Sequence, residues 1–145
     1  MAAKRTIDAD IVWDGGMTFV ARTGSHHFLT IDTTEENGGA NSGPGPMEMV
    51  ACALGGCAAM DVISILQKKR KTVTSLNVQV TGNRRSEQPA VFDEVVLDFR
   101  VSGPDVSEED IGQAVELSLE KYCSVAAMLY PHVRINPKWT LEPST

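Results

Sequence analysis

The feature that most constrains this fold is a long segment, residues 47–66, that is apolar on almost every side. Only Glu48, Asp61 and Ser64 interrupt it with polar side chains. Pro46, directly before it, suits the first position of a helix, because the N–H that proline lacks has no helical partner there. A helix that is apolar all round has to be buried on all sides. The sequence therefore predicts a long, buried central helix.

The same segment is about as long as a membrane-spanning helix, which needs about 20 residues. Glu48 and Asp61 would then lie in lipid at a cost of up to about 3 kcal/mol each. The flanking residues have the pattern of soluble strands, so we expect burial within protein and no membrane contact. A chain of 145 residues can hardly surround a bare helix alone. A second copy of the chain is therefore expected to cover it, in a homodimer.

Alternating apolar and polar residues predict strands on both sides of this helix. The predicted strands are a meander over residues 7–13, 17–22 and 28–31, a long hairpin over 73–82 and 91–101, and a final strand over 132–141. No internal repeat and no domain boundary interrupts the pattern. We therefore expect a single domain over residues 1–145, of mixed α and β structure.

Two further helices are expected between the hairpin and the final strand. Ser107, followed by three carboxylates, is typical of a helix start, and apolar positions at helical spacing continue to about Tyr122. Ser124 can cap a fresh short helix through Leu129, which leaves Cys123 at its N-terminal edge. A helix N-terminus stabilises a nearby thiolate, which sets Cys123 apart from an ordinary buried thiol.

Charge and cysteine content exclude several classes of function. The net charge of −6 argues against a general binder of nucleic acid or of anionic membranes. The glycine-rich segment 36–47 lacks the Lys-Ser/Thr pair that closes a phosphate-binding loop. The N-terminal residues lack the apolar core of a cleavable signal. Three cysteines without export features are typical of a reducing compartment, so a cytoplasmic protein is expected.

The spacing of the cysteines offers little for a metal. Cys52 and Cys57 point about 140° apart on a helix, and no CxxC motif is present. His26 and His27 are adjacent on a predicted strand and so face opposite ways. We therefore expect no metal and assign Cys52 to packing. A zinc site that combines Cys57, Cys123 and one histidine stays open as an alternative.

Cys57 needs help from outside its own helix if it is to react. It lies well beyond the first turn, where the helix dipole would stabilise a thiolate. Arg22, on an early strand and held by Glu48, is the candidate cation. The alternative is that Arg22 is an ordinary solvated side chain.

Short motifs around the two cysteines resemble those of a known family. The motifs are Gly45-Pro46-Met47-Glu48, Ala53-Leu54-Gly55-Gly56-Cys57, Asp61-Val62 and Lys121-Tyr122-Cys123-Ser124-Val125. The chain thereby resembles the osmotically inducible protein C and organic hydroperoxide resistance (OsmC/Ohr) family, in its YhfA-like branch. The resemblance covers nearly the whole chain. It implies an α+β, OsmC-like fold with antiparallel sheets around a long buried central helix, and an intertwined homodimer with active sites at the subunit interface.

The resemblance also implies an activity, a thiol-dependent peroxidase for small organic hydroperoxides. Cys57 would attack the peroxide and become a sulfenic acid. Cys123 would resolve that acid as a disulfide, which a dithiol reductant then opens. Arg22 and Glu48 would complete the site, without any metal or organic cofactor. Met47 stands where the family's peroxidases have a Glu, which favours the alternative of a slow redox-sensing or ligand-binding protein.

Overall fold

The described residues form two small sheets and three α-helices, together with a 3-10 turn, Glu35–Asn37, and a π-helical turn, Ser118–Tyr122. The computed structural model describes residues 5–143, and the chain divides into two compact units between Val50 and Ala51. The elements are, in chain order, β1 (Ala9–Trp13), β2 (Phe19–Thr23), β3 (Phe28–Ile31), α1 (Pro46–Lys68), β4 (Ser75–Arg84), β5 (Phe92–Ser102), α2 (Glu108–Leu117), α3 (Ser124–Leu129) and β6 (Arg134–Leu141). All six predicted strands are present, and α1 begins at Pro46 as expected.

The first unit contains the predicted meander. β1, β2 and β3 form an antiparallel sheet in that order. The turn between β1 and β2 uses Gly15 and Gly16 with positive φ angles of 90° and 55°, a conformation that glycine adopts without the strain of a side chain. Every residue of β1 is exposed in the single chain. This sheet therefore has apolar side chains left to cover.

A buried carboxylate organises the loop between β3 and α1. Asp32 accepts hydrogen bonds from the side chains of Thr18 at 3.0 Å and Ser42 at 2.6 Å, and from the backbone N–H groups of Thr33 and Ser42 at 2.7 and 3.2 Å. These bonds hold the pKa of Asp32 well below its ordinary value, with the Ser42 side chain contributing most. Hydrogen bonds to a charged carboxylate favour that charged form.

This carboxylate gives the stability of the protein an expected pH dependence. A depressed folded-state pKa adds stability above the unfolded pKa, about 3.9, and the gain is lost as the pH falls toward the folded value. Asp32→Asn is therefore expected to lower the urea midpoint at pH 7 and to flatten its decline below about pH 4. The exposed Asp93 provides the control Asp93→Asn, which should follow the wild type. An unchanged acid profile in Asp32→Asn would contradict the assignment.

The second unit contains a mixed sheet in the order β4-β5-β6. β4 and β5 form the predicted antiparallel hairpin, but β6 runs parallel to β5. The expectation of purely antiparallel sheets is therefore wrong for this strand. The reason is the connection: α2 and α3 lie between β5 and β6, and a helical crossover returns the chain in the same direction. β6 is an edge strand, which is compatible with Pro137 within it.

One face of this sheet carries the core of the second unit. Val95, Leu97, Phe99 and Val101 alternate along β5 and are fully buried. Their cross-strand neighbours Val78, Val80 and Trp139 share that face. Helix α1 approaches it so closely that a Cβ atom on Gly55 would lie 2.6 Å from Val80, and α2 approaches so that a Cβ on Gly112 would lie 2.9 Å from Trp139. Both helices therefore pack on the same face.

Helix α1 is covered on one side only. Its buried residues are Leu54, Gly55, Ala58, Val62 and Leu66, which recur at helical spacing and form one stripe. By length and composition alone α1 is long and apolar enough to cross a membrane, but core helices of soluble proteins meet the same criteria. Only 28% of its most apolar 18-residue stretch is buried. Burial on every side, as the sequence predicts, is thus not achieved within a single chain.

Candidate redox site

Helix α1 places two chemically active side chains one turn apart. Cys57 and Asp61 are both half-buried and differ by four positions, which turns them only about 40° from each other around the helix axis. An aspartate inside an apolar helix is costly unless its oxygen atoms find hydrogen-bond donors. The Oγ of Ser118 is such a donor, at 2.8 Å from Oδ2 of Asp61.

A π-helical turn, Ser118–Tyr122, brings the third member into place. It follows α2, which starts with the predicted capping box of Ser107 and Asp110. The N–H of Cys123 closes the turn with a 2.7 Å hydrogen bond to the carbonyl of Ser118. Such turns are wider than the α-helix and are frequent at functional sites. Ser118 and Cys123 are thereby fixed on either side of one turn.

Cys123 itself, and not Ser124, caps helix α3. Its Sγ accepts the N–H of Ala126 at 3.4 Å, so the sequence prediction of Ser124 as the cap is wrong by one residue. Cysteine is an unusual cap, which is why its neighbouring serine was the more plausible choice. The cap holds the sulfur of Cys123 on the inside of the second unit, where only 2% of the residue is exposed.

These elements bring the two predicted thiols together. The Sγ atoms of Cys57 and Cys123 and a carboxylate oxygen of Asp61 all lie within 4.8 Å of one another. Both cysteines are reduced. A disulfide needs an S–S distance of about 2.05 Å, so the sulfurs are close but not bonded. The two sulfurs are therefore near neighbours, and both thiols are free.

The environment of Cys123 makes it less acidic than an ordinary thiol. Burial is the main cause that raises the pKa of Cys123 to about 11. The hydrogen bond from the N–H of Ala126 lowers this pKa, whereas Cys57 and the charge of Asp61 raise it. The expectation that the helix N-terminus makes Cys123 acidic is therefore wrong. One hydrogen bond from a short helix does not outweigh the desolvation of a buried thiolate. Cys123 is a neutral thiol at pH 7.

A groove lies beside Ala126, the residue whose N–H contacts the sulfur of Cys123. Its volume is about 510 Å³ and its lining comes from the π-helical turn, α3 and β6, namely Leu119, Glu120, Ala126, Ala127, Tyr130 and Ile135. Ala126 belongs both to this lining and to the N–H contact with the sulfur of Cys123. The groove has the size of a pocket for a small organic ligand, and most of its side chains are apolar.

The other two predicted site residues lie in the first unit. Arg22 is exposed on β2, opposite Asp10. Glu48 is exposed in the first turn of α1, where its Oε1 accepts the N–H of Gly45 at 3.1 Å. Within residues 5–50 no ion pair joins Arg22 to Glu48, so the expected contact between them is not formed. The role of Arg22 beside Cys57 stays a prediction.

The remaining cysteine and the histidines take no part in the cluster. Cys52 is exposed, so its expected packing role is not seen in the single chain. The donor group around Cys57 and Cys123 contains Asp61 in place of a histidine, and His132 is exposed in the same unit. Sequence reasoning missed Asp61 and Ser118 as site residues. The available signal was the position of Asp61, four residues after Cys57 in an otherwise apolar helix.

Comparison with known proteins identifies the family. The family profile described as OsmC-like protein matches residues 39–138, which include both cysteines. The chain belongs to the OsmC-like protein family. Protein YhfA of Escherichia coli K12 is 44% identical to this OsmC-like protein over 132 residues, which cover 89% of this chain and 93% of YhfA. The resemblance inferred from the cysteine motifs is therefore confirmed.

Solved structures show the same architecture. A hypothetical protein from Aquifex aeolicus VF5 is 30% identical, with a TM-score of 0.86 over 98% of this chain and 100% of its own. An organic hydroperoxide resistance protein OsmC from Legionella pneumophila has a TM-score of 0.72 at 13% identity, over 96% of this chain and 99% of its own. At that identity the similarity concerns the fold alone. The OsmC-like α+β fold is confirmed.

Proposed function

We propose that this OsmC-like protein reduces small organic hydroperoxides with the thiols of Cys57 and Cys123. The observation that carries the proposal is the closeness of the two reduced sulfurs, within 4.8 Å, with one half-buried and one fully buried. A thiol that meets a peroxide has to be accessible, and its partner has to lie within reach of the product. The pair satisfies both requirements.

The chemistry is a two-electron oxidation at sulfur. The Cys57 thiolate attacks the terminal oxygen of the hydroperoxide, the O–O bond breaks, and the alkoxide takes a proton and leaves as an alcohol. Cys57 is then a sulfenic acid. The sulfur of Cys123 attacks that sulfur, and its thiol proton leaves with the hydroxyl group as water. Two thiols and one hydroperoxide thus give one disulfide, one alcohol and one water.

The asymmetry of the site assigns the two roles. Cys57 is the attacking thiol because it is half-buried and so remains accessible. Cys123 stays protonated at neutral pH, because burial raises its pKa to about 11, and it is therefore a poor first nucleophile. It becomes the resolving thiol once Cys57 carries a good leaving group. A dithiol reductant then restores both thiols by exchange.

The groove lined by Ala126 supports an organic substrate. Its lining is mostly alkyl and aromatic, with Glu120 as its charged member, and such a surface favours an alkyl group over bulk water. Structural neighbours named as organic hydroperoxide resistance proteins, from Legionella pneumophila and Elizabethkingia anophelis, are compatible with this substrate class. Free thiols that must be kept reduced also support the cytoplasm as the location.

A homodimer is part of the proposal. Met60 on α1 is 75% exposed, and Met128 and Tyr130 at α3 are 75% and 67% exposed. Large apolar side chains that are left in water along a core helix favour a protein partner. A second copy of the chain is the simplest cover for α1, and it could also supply the cation that Cys57 lacks among the described residues of its own unit.

Oxidation by one equivalent of peroxide tests the function. Reduced protein treated with cumene hydroperoxide is expected to lose two thiols per chain, and peptide mass spectrometry should find a disulfide that joins Cys57 to Cys123. Cys123→Ser should stop at a sulfenic acid that dimedone traps on Cys57. Peroxide left unconsumed, or oxidation confined to the exposed Cys52, would contradict the proposal.

The second candidate function is a slow redox sensor built on the same thiols. Met47 favours it, because this residue stands where the family's peroxidases have a Glu. A sensor would be oxidised once and would accumulate as the disulfide. A peroxidase would complete many turnovers when a dithiol reductant such as dihydrolipoate is supplied. Peroxide consumption that stops after one equivalent in the presence of this dithiol would select the sensor.

A further inference from the structure

We propose that Cys57, Asp61 and Cys123 of the reduced protein bind a divalent thiophilic cation of the Zn²⁺ class, with a fourth position left open. Their three donor atoms lie within 4.8 Å of one another. Thiolate sulfur and carboxylate oxygen are both zinc ligands, and three protein ligands with an open position are the usual arrangement of a reactive zinc site. The proposal uses the same two thiols as peroxide reduction but does not depend on that reaction.

The ligand spacing is that of a helix-borne metal site. Cys57 and Asp61 stand at positions i and i+4 of α1, and this spacing directs two ligands to one face of a helix, as in helical zinc motifs. The third ligand, Cys123, comes from a separate element at the end of the π-helical turn. A pair on one helix and a single ligand from another element thus bring three donor atoms within 4.8 Å of one another.

Hydrogen bonds hold two of the three ligands in position. The Oγ of the buried Ser118 donates to Oδ2 of Asp61 at 2.8 Å, which leaves Oδ1 of the carboxylate for a metal. The N–H of Ala126 donates to the sulfur of Cys123 at 3.4 Å. Contacts of this kind orient metal ligands and are the second layer of most metal sites. The cluster is therefore preorganised on two of its sides.

The charge balance of the cluster also favours a cation. In residues 51–143 no basic side chain forms an ion pair with Asp61, although five other ion pairs occur there. Metal binding deprotonates both thiols and releases two protons to solvent, and the divalent charge compensates the two thiolates. The carboxylate of Asp61 takes the place of the histidine considered from the sequence.

A consequence is competition between metal and peroxide for the same sulfurs. A thiolate that is bound to zinc is not free to attack a peroxide. A Cys57–Cys123 disulfide contains no thiolate that can bind zinc. Oxidation by an organic hydroperoxide would thus release the cation: the two thiolates give two electrons to the O–O bond and form the disulfide, and the alcohol and water take two protons from solvent. The metal would in turn protect the reduced pair.

The test is a titration of reduced, metal-free protein with Co²⁺ under anaerobic conditions, followed by Zn²⁺ competition against a chromophoric chelator. Thiolate-to-cobalt charge-transfer bands with tetrahedral d–d bands are expected to saturate at one Co²⁺ per chain. Asp61→Asn should weaken the zinc affinity by at least about tenfold, and Cys57→Ser or Cys123→Ser should abolish the tetrahedral spectrum. Cys52→Ser, at the exposed cysteine of the same helix, is the matched control and should bind as the wild type does.

The result that overturns the metal site is distinct from one that overturns peroxide reduction. Absence of charge-transfer bands, or equal zinc affinity in Asp61→Asn and wild type, overturns the site even when cumene hydroperoxide is consumed normally. Tight zinc binding without peroxide consumption supports the site and overturns the peroxidase. Circular dichroism of Asp61→Asn confirms that any loss of affinity belongs to a folded protein.

Discussion

Cys57→Ser is expected to lower the rate of organic hydroperoxide consumption by more than about 100-fold, because removal of the nucleophile leaves no route to the first intermediate. Serine keeps the size of the side chain but is not oxidised by peroxides. The measurement is stopped-flow consumption of cumene hydroperoxide by reduced protein in excess over peroxide. Cys52→Ser is the matched control, since Cys52 lies on the same helix, is exposed and is outside the cluster.

Cys123→Ser should behave differently from Cys57→Ser in the same assay. It retains the nucleophile, so the first equivalent of peroxide is expected to be consumed near the wild-type rate, but turnover with a dithiol should fail or slow. The two variants therefore separate attack from resolution. Consumption by Cys57→Ser at the wild-type rate would eliminate the assigned nucleophile.

The second large effect concerns assembly. The wild-type protein is expected to have twice the chain mass of 15.7 kDa in light scattering, and Met60→Glu is expected to weaken the dimer by more than about 100-fold. Met60 is 75% exposed on α1 in the single chain, and an unpaired carboxylate in an apolar interface costs several kcal/mol. Met60→Leu keeps the apolar surface and should remain dimeric.

The same experiment tests the alternatives to a dimer. A wild-type mass of one chain at every concentration would contradict the homodimer. Sedimentation of the wild type with membranes, and its release only by detergent, would instead indicate that the apolar surface of α1 faces lipid. A Met60→Glu variant that stays dimeric would place Met60 outside the interface.

Local sequence signals predicted much of the fold. Pro46 marked the start of α1 because proline suits the first helical position. Ser107 marked the start of α2 through its capping box, and alternation located the hairpin strands. These features depend on residues a few positions apart. Their physical cause is therefore visible in the sequence itself.

The features that sequence reasoning missed depend on long-range contacts. The direction of β6 is set by the helical crossover, and alternation is the same in parallel and antiparallel strands. The partner of Asp61 is Ser118, 57 positions away. The pKa of Cys123 is set by burial, which opposes the local effect of the helix. The pairing of Cys57 with Cys123 came from family resemblance, because spacing alone cannot specify a contact of that range.

The π-helical turn changes the angle at which the residues after it leave the helix. In a regular α-helix through Ser118–Tyr122, the N–H of Cys123 would donate to the carbonyl of Leu119 and not to that of Ser118. One surplus residue shifts the angular phase of the next segment by about 100°. Without that shift Cys123 would leave the helix at a different angle, so this one wide turn contributes to where the second thiol lies.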